Sequence, residues 1–398
     1  TAAVPVAWAL SARSEPALRT AAARLHDAVF TRPETRPADV GLSLATTRTV
    51  FDHRAVVVGA GREALLAGLR AVAAGEQAPG VVSAAASGHA GGTVFVFPGQ
   101  GSQWPGMAAG LLDTSPVFAA SIAACADALA PHVDWSLTDV LRAVDGAPTL
   151  DRVDVVQPAL FAVIVSLARL WESLGIHPDA VIGHSQAEIA AAHVAGALTL
   201  DDAARIVALR AQAITKIAGL GGMMSVPLPA ATVEADLADL ADLVTATGEP
   251  AQAGGQVAGP TSDQAGAQVA VAAVNGPAAT VVSGQPAVLE ALLAAYQARG
   301  VSARRIPVDY ASHSAQVEAI RDDVHTLLAG ITPRPADVAF YSTVTGGRLD
   351  PTELTTDYWY RNLRQPVRLD DAVRAALADG HRTFLECSPH PVLTVGIQ

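Results

Sequence analysis

Val181-Ile182-Gly183-His184-Ser185-Gln186-Ala187-Glu188-Ile189-Ala190-Ala191-Ala192 is the stretch on which the reading of this chain turns. Two β-branched residues run into a glycine, then a serine, then an alanine-rich segment of high helix propensity. The pattern predicts a strand, a sharp turn and a helix, with Ser185 at the corner. A serine there is pushed out of the strand end with its Oγ bare. Beside it lie helix N–H groups that have no intrahelical acceptor and suit an oxyanion. These are the mechanics of a nucleophile elbow, although Ala187 stands where Gly-x-Ser-x-Gly has its second glycine. An ordinary strand-to-helix turn would look the same over these residues alone. The flanking chain has to supply a base, oxyanion donors and a substrate anchor.

Working outward, His184 is adjacent, but at an elbow its side chain points away from that of the serine. His313, in Asp309-Tyr310-Ala311-Ser312-His313-Ser314, follows a predicted strand end, where a loop reaches the same site. It is the better base among eleven histidines. Upstream, Val94-Phe95-Val96-Phe97-Pro98-Gly99-Gln100-Gly101-Ser102-Gln103 runs an apolar strand into a glycine-flanked polar loop. That loop offers N–H groups and an amide where α/β folds keep their sites. Arg210 is the most selective physical clue. It falls on the apolar stripe of a predicted helix over Asp201–Ile217, with Ile206 and Ile214 four residues to either side. A guanidinium there needs an anion: a protein carboxylate, or a free carboxylate on the substrate held bidentately. A serine acyl-transfer site with a fixed arginine suits a dicarboxylic half-thioester.

The chain has 398 residues, 51% hydrophobic and 16% charged, enough for two or three domains with a large core. A net charge of −12 argues against a nucleic-acid partner. Cys125 and Cys387 make neither a disulfide framework nor a metal cluster, and fit a reducing cytoplasm. Thr1–Leu10 lacks the layout of a signal peptide. The most apolar run, Pro158–Trp171, reads as a buried helix too short to span a bilayer, so no membrane partner is expected.

Residues 1–92 read as a small α/β unit, with strands at Pro5–Ser11 and Arg54–Val58 and helices at Pro16–Phe30 and Glu63–Ala74. Gly59-Ala60-Gly61-Arg62-Glu63-Ala64 matches a loose dinucleotide fingerprint. It lacks the repeated βαβ series and the acid-ended strand such a site needs, and it reads as a plain turn. Gln77–Gly92 reads as a connector. From Thr93 alternating strands and helices predict a mainly parallel sheet. From about Gly221 the order becomes βαββαβ, that of a ferredoxin-like unit, inserted into the larger domain over 221–308. Inside it Thr245–Gln268, nearly all small residues, reads as a mobile loop.

Taken together, these residues identify the chain as resembling the acyltransferase domain of modular type I polyketide synthases, kin to malonyl-CoA:acyl-carrier-protein transacylases. Phe97–Gln103, Gly183-His184-Ser185-Gln186, Arg210 and Tyr310-Ala311-Ser312-His313 match the family's motifs in order. Residues 1–92 resemble the ketosynthase-to-acyltransferase linker. The resemblance implies an α/β-hydrolase-like large subdomain, over 93–220 and 309–398, around the inserted small one. It implies Ser185 as nucleophile, His313 as base, and Gln100 with the N–H of Gln186 as oxyanion hole. A main-chain carbonyl orients the histidine in this family, and the matching position is Asn362. Arg210 holds the substrate carboxylate, and Gln157 and Asn275 line the pocket.

Tyr310-Ala311-Ser312-His313, Gln186 and the Arg152–Gln157 stretch resemble methylmalonyl-loading domains; malonyl-loading ones usually carry His-Ala-Phe-His. Ser312 in place of phenylalanine leaves room for an α-methyl group. The implied partners are an acyl carrier protein and the neighbouring ketosynthase, with Arg299, Arg304 and Arg305 the expected basic docking patch. No metal or other cofactor is implied beyond the methylmalonyl-CoA substrate and the carrier's phosphopantetheine. The alternatives are malonyl- or another alkylmalonyl-CoA as substrate, a serine hydrolase or thioesterase using the same pair, and an inactive scaffold with Ala187 as its lesion.

Overall fold

The computed structural model describes residues 5–86, 91–247 and 269–398. The chain divides into two compact units, Thr1–Ala90 and Gly91–Gln398.

In the first unit β1 (Val6–Ala12), β2 (His53–Gly59) and β3 (Val81–Ala85) form an antiparallel sheet in that order. Alternate residues Trp8, Leu10, Ala55 and Val57 point inward, as a period of two requires. They meet Leu18 and Ala22 of the helix Glu15–Phe30 and Leu65 and Leu69 of the helix Arg62–Ala74. Two elements were not expected from the sequence. The helix Pro37–Thr47 carries only one buried residue, Val40, so its periodic signal is weak. β3 falls inside the expected connector Gln77–Gly92; four of its five side chains are exposed, so alternation does not betray it. Because β2 pairs antiparallel with both neighbours, the turn Gly59–Ala64 opens no βαβ crossover, and the dinucleotide fingerprint has no structural basis.

The second unit contains β4 (Thr93–Phe97), β5 (Ala180–Gly183), β6 (Gly222–Val226), β7 (Val269–Gly276), β8 (Ala279–Gly284), β9 (Arg304–Ile306), β10 (Ala339–Ser342), β11 (Gly347–Leu349), β12 (Val367–Arg368) and β13 (Thr383–Glu386). One sheet has the order β11-β10-β5-β4-β13, parallel except for the edge hairpin strand β11. β5 lies at its centre, so whatever follows Gly183 emerges at the middle of the carboxyl edge, where such sheets place ligands. The other sheet has the order β12-β7-β8-β6-β9. Its strands β6 to β9, all antiparallel, with the helices Ala230–Thr247 and Pro286–Ala298, make the βαββαβ ferredoxin-like unit. β12 adds to β7 in parallel, tying the insert to the following chain. A buried cluster joins Val94, Val96, Ala180 and Ile182 of the first sheet to Ala272, Ala273 and Val281 of the second.

The apolar run Pro158–Trp171 belongs to a longer helix, Val153–Ser173, of 21 residues. By length and composition it could cross a membrane, which overturns the expectation that it is too short; 78% of its apolar window is buried in the fold. It is the central core helix, and Leu160, Phe161 and Ile164 are fully enclosed. Of the expected loop Thr245–Gln268, the first three residues close the helix Ala230–Thr247, and 248–268 lie outside the described residues.

Candidate active site

The elbow forms because Gly183 has no side chain. A Cβ there would fall 2.3 Å from both the backbone N and Cα of Glu188, so only glycine lets the strand run this close to the helix it feeds. Ser185 then takes a left-handed φ of 55°, which pushes its side chain out of the turn. Ala187 has φ −75°, ordinary for an L-residue, so the backbone requires no glycine at that position. As expected, His184 turns away; its Nε2 lies 2.8 Å from Asn275 Oδ1. Asn275, expected as a pocket residue, is thus committed to His184.

Ser185 Oγ and His313 Nε2 lie 2.8 Å apart, across 128 residues of sequence. His313 also adopts a left-handed φ, 60°; among the described non-glycine residues only Ala143 joins these two in that region. The paired side chains are therefore both held at strained backbone positions, where the surrounding fold must over-determine them. His313 Nδ1 lies 2.7 Å from the carbonyl oxygen of Gln365. A carbonyl only accepts, so Nδ1 carries the proton and the Nε2 lone pair faces the serine hydroxyl. The orienting carbonyl belongs to Gln365 and not to the expected Asn362. Asn362 contributes its side chain to a different set of bonds. Burial and the nearby Arg210 charge hold His313 far below the usual histidine range, at about 3, so it is a neutral base at physiological pH.

The main-chain N–H groups of Gln100 and Gln186 meet no acceptor among the described residues. Oxyanion donors need that freedom. The side chain of Gln100 is otherwise engaged. Its Oε1 accepts from the Tyr310 hydroxyl and, at 3.0 Å, from Gln157 Nε2. The chain of contacts continues from Gln157 Oε1 to Arg210 Nη1 at 3.2 Å, and from Arg210 Nη2 to Asn362 Oδ1 at 3.2 Å. Tyr310, Ala311 and Ser312 are all buried beside it. Gln186 is buried with both amide atoms unpartnered.

Arg210 is 1% exposed. Its two polar contacts are neutral amide oxygens, and its Nε has no partner. No protein carboxylate pairs with it among the described residues, so of the two anions anticipated for Arg210 the internal one is missing. Burial pushes the guanidinium down to about 10, which an incoming carboxylate would reverse.

Three residues escaped the sequence reading: Gln365, which acts through its backbone and so leaves no side-chain signal; Thr343; and Glu188. Glu188 stood inside the quoted stretch as an acid in the first helical turn, which helix electrostatics alone would explain. It is fully buried. The expected docking arginines are uneven: Arg299 pairs with Asp236 at 2.8 Å, Arg304 is exposed on β9, and Arg305 has a buried Nη1 without a partner among the described residues.

The buried histidines predict acid sensitivity. His184, His193 and His313 are all held below the usual value, so as pH falls through about 6.5 the unfolded chain binds more protons at these sites than the folded chain, for His313 down to about 3. Glu188, raised to about 7, works in the opposite direction but is a single group. The thermal midpoint should therefore fall from pH 7 to pH 5, and His313→Gln should flatten that slope. Unchanged midpoints across the range would contradict the burial argument.

A model described as the acyl transferase domain matches residues 94–262 and 256–398, and one described as CurL-like, PKS C-terminal, matches residues 7–69. Polyketide synthase GfsA of Streptomyces halstedii is 56% identical over 398 residues, covering 99% of this chain and 5% of the relative. Mycoketide-CoA synthase of Mycobacterium tuberculosis is 54% identical over 393 residues, covering 99% of this chain and 9% of the relative. The chain thus spans less than a tenth of the length of these relatives. The crystal structure of the acyltransferase domain from module 8 of the salinomycin polyketide synthase aligns with a TM-score of 0.89 at 52% identity, covering 99% of this chain and 87% of that one. A serine elbow, a facing histidine and the matched models over both units lead to one conclusion: the chain belongs to the acyltransferase domains of modular type I polyketide synthases, with the CurL-like segment preceding the acyltransferase fold.

Proposed function

We propose that this acyltransferase transfers a methylmalonyl unit from methylmalonyl-CoA to the phosphopantetheine thiol of an acyl carrier protein, by a ping-pong route through Ser185. The observation that carries the reading is Arg210, a buried cation without a carboxylate partner among the described residues, linked through Asn362 to the main-chain carbonyl of Ser185, whose Oγ pairs with His313.

His313 Nε2 takes the Ser185 hydroxyl proton as Oγ attacks the thioester carbon. The oxyanion is met by the N–H groups of Gln100 and Gln186. The C–S bond breaks, and the departing CoA sulfur takes the proton from His313. The carrier thiol then gives its proton to His313 and attacks the acyl-serine ester; Ser185 leaves with that proton. Every proton is returned and no atom changes oxidation state, so the cycle balances without a redox group. The partners are the carrier protein and a ketosynthase of the same synthase.

The buried Tyr310 ring and small Ser312 side chain support the methylmalonyl assignment over malonyl. One methyl group is worth about 1–3 kcal/mol in a pocket, so the preference is moderate and some malonyl loading is expected. Ser312→Phe should fill the space taken by the α-methyl and move the preference toward malonyl by about tenfold or more. The test is intact-protein mass spectrometry after mixing with equimolar methylmalonyl-CoA and malonyl-CoA. A predominant malonyl adduct on the unaltered domain would discard the methylmalonyl assignment and leave the acyl-enzyme standing. Release of free acid faster than transfer to a carrier would favour the hydrolase alternative.

A further inference from the structure

Glu188 is 0% exposed, and its carboxylate is turned away from solvent into the end of β10 and the helix Thr356–Arg364. Three donors and one hydroxyl shared with a second acceptor surround it. Oε1 receives the Thr343 backbone N–H at 2.5 Å and the Thr343 hydroxyl at 2.8 Å. Oε2 receives the Tyr358 hydroxyl at 2.5 Å and Asn362 Nδ2 at 2.9 Å. The Tyr358 oxygen lies 2.7 Å from Ser342 Oγ. Ser342 Oγ already accepts two backbone N–H groups, so its own proton is free for Tyr358, whose proton goes to Glu188. The Thr343 hydroxyl has one proton and also lies 3.0 Å from the Gly183 carbonyl oxygen, so it donates to one of the two at a time; Oε2, which faces Tyr358 and Asn362, is the oxygen that accepts in every arrangement.

Glu188 and the Ser185 carbonyl together fix the amide of Asn362. Its NH₂ must face the carboxylate, and it also reaches the Ser185 carbonyl oxygen at 3.1 Å. Its carbonyl oxygen must then face the other way, toward Arg210 Nη2 at 3.2 Å. A reversed amide would place oxygen against carboxylate and NH₂ against guanidinium, both repulsive. Helix-end electrostatics does not require this burial, since an exposed acid would serve the helix equally well.

We infer that Glu188 is a positioning residue for the substrate anchor: by accepting from the Asn362 amide it helps to keep the carbonyl oxygen of Asn362 on Arg210, and so holds Arg210 in place for the free carboxylate of a dicarboxylic half-thioester. The inference rests on the reading of Arg210 as the carboxylate anchor. In Glu188→Gln the new amide can present NH₂ to Asn362, which then either keeps its bond to the Ser185 carbonyl against a repulsive neighbour or reverses and turns its donors on Arg210; both loosen the anchor.

The experiment measures acylation of Ser185 in the full domain with methylmalonyl-CoA and with propionyl-CoA, which lacks the free carboxylate. Glu188→Gln should raise the KM for methylmalonyl-CoA by about 10–100-fold, the range for one lost charge-assisted contact, with kcat and propionyl-CoA acylation nearly unchanged. Glu188→Asp, still acceptor-only, should restore much of the preference. Equal losses with both thioesters, or no change with either, would overturn the inference, because a support of the serine turn or of the fold alone does not discriminate between them. Should Glu188→Gln fail to fold, Tyr358→Phe removes one of the donors and should give a smaller loss of the same selective kind; an unselective loss there overturns the inference equally. Arg210→Ala separates the two readings. If that variant keeps the methylmalonyl preference, the anchor reading fails. If it loses the preference while Glu188→Gln keeps it, only the role of Glu188 fails.

Discussion

Ser185→Ala mixed with methylmalonyl-CoA is expected to show unmodified protein alone by intact mass, where the unaltered domain gains one acyl group. The loss in rate should be on the order of 10⁶, as when the nucleophile of a serine–histidine pair is removed. The fold should survive. The substitution deletes one hydroxyl and its 2.8 Å contact with His313 and leaves the backbone to an equally small side chain. A competing adduct on cysteine is not expected. Cys125 and Cys387 are both buried, and burial pushes the Cys125 thiol up to about 12 and the Cys387 thiol higher still. An acyl group that remains on Ser185→Ala would place the nucleophile elsewhere and undo the proposed mechanism.

Arg210→Ala should lower acylation by methylmalonyl-CoA by about 10²–10³-fold, since an anion brought into the site would lose its charged, hydrogen-bonded partner at a cost of about 2–5 kcal/mol. The same change should leave propionyl-CoA acylation intact or faster. Arg210 is one of the causes that hold His313 low, and removing its charge makes the imidazole a stronger base. In the unaltered domain a substrate carboxylate would do the same by neutralising the guanidinium, so the base strengthens when the substrate is of the right class. Arg210→Met should retain or raise the thermal midpoint, because a buried cation without a carboxylate partner costs more than an apolar side chain of similar volume. Propionyl-CoA loss in parallel with methylmalonyl-CoA loss in Arg210→Ala would show that Arg210 supports the site as a whole.

Much of this was legible in the chain. The β-branched run into Gly183 and the alanine-rich segment after it define the elbow by local propensity, and the 2.3 Å approach explains why glycine alone fits there. The alternating order βαββαβ anticipated the antiparallel arrangement of β6 to β9. The apolar stripe bearing Arg210 correctly marked a buried cation. Short or sparsely buried elements were not legible: the helix Pro37–Thr47 and β3 bury too little surface to impose a pattern. Nor was the length of the helix Val153–Ser173, which starts five residues before the apolar run that opens at Pro158.

The sequence by itself determined which side chains could do chemistry and on what local elements they sit, because propensity, periodicity and the steric needs of glycine act over a few residues. Only the tertiary structure decided how those side chains meet. The pairing of Ser185 with His313 spans 128 residues and depends on where β5 falls in the sheet. The carbonyl on His313 comes from Gln365 and not from Asn362, since every residue carries a carbonyl and only the path of the backbone decides which one arrives. Glu188, an acid in a helical first turn by sequence, becomes a buried hydrogen-bond hub because distant Thr343, Tyr358 and Asn362 converge on it. Burial and partner geometry are properties of the packed chain, and they give the same carboxylate a different role from the one its neighbours in sequence suggest.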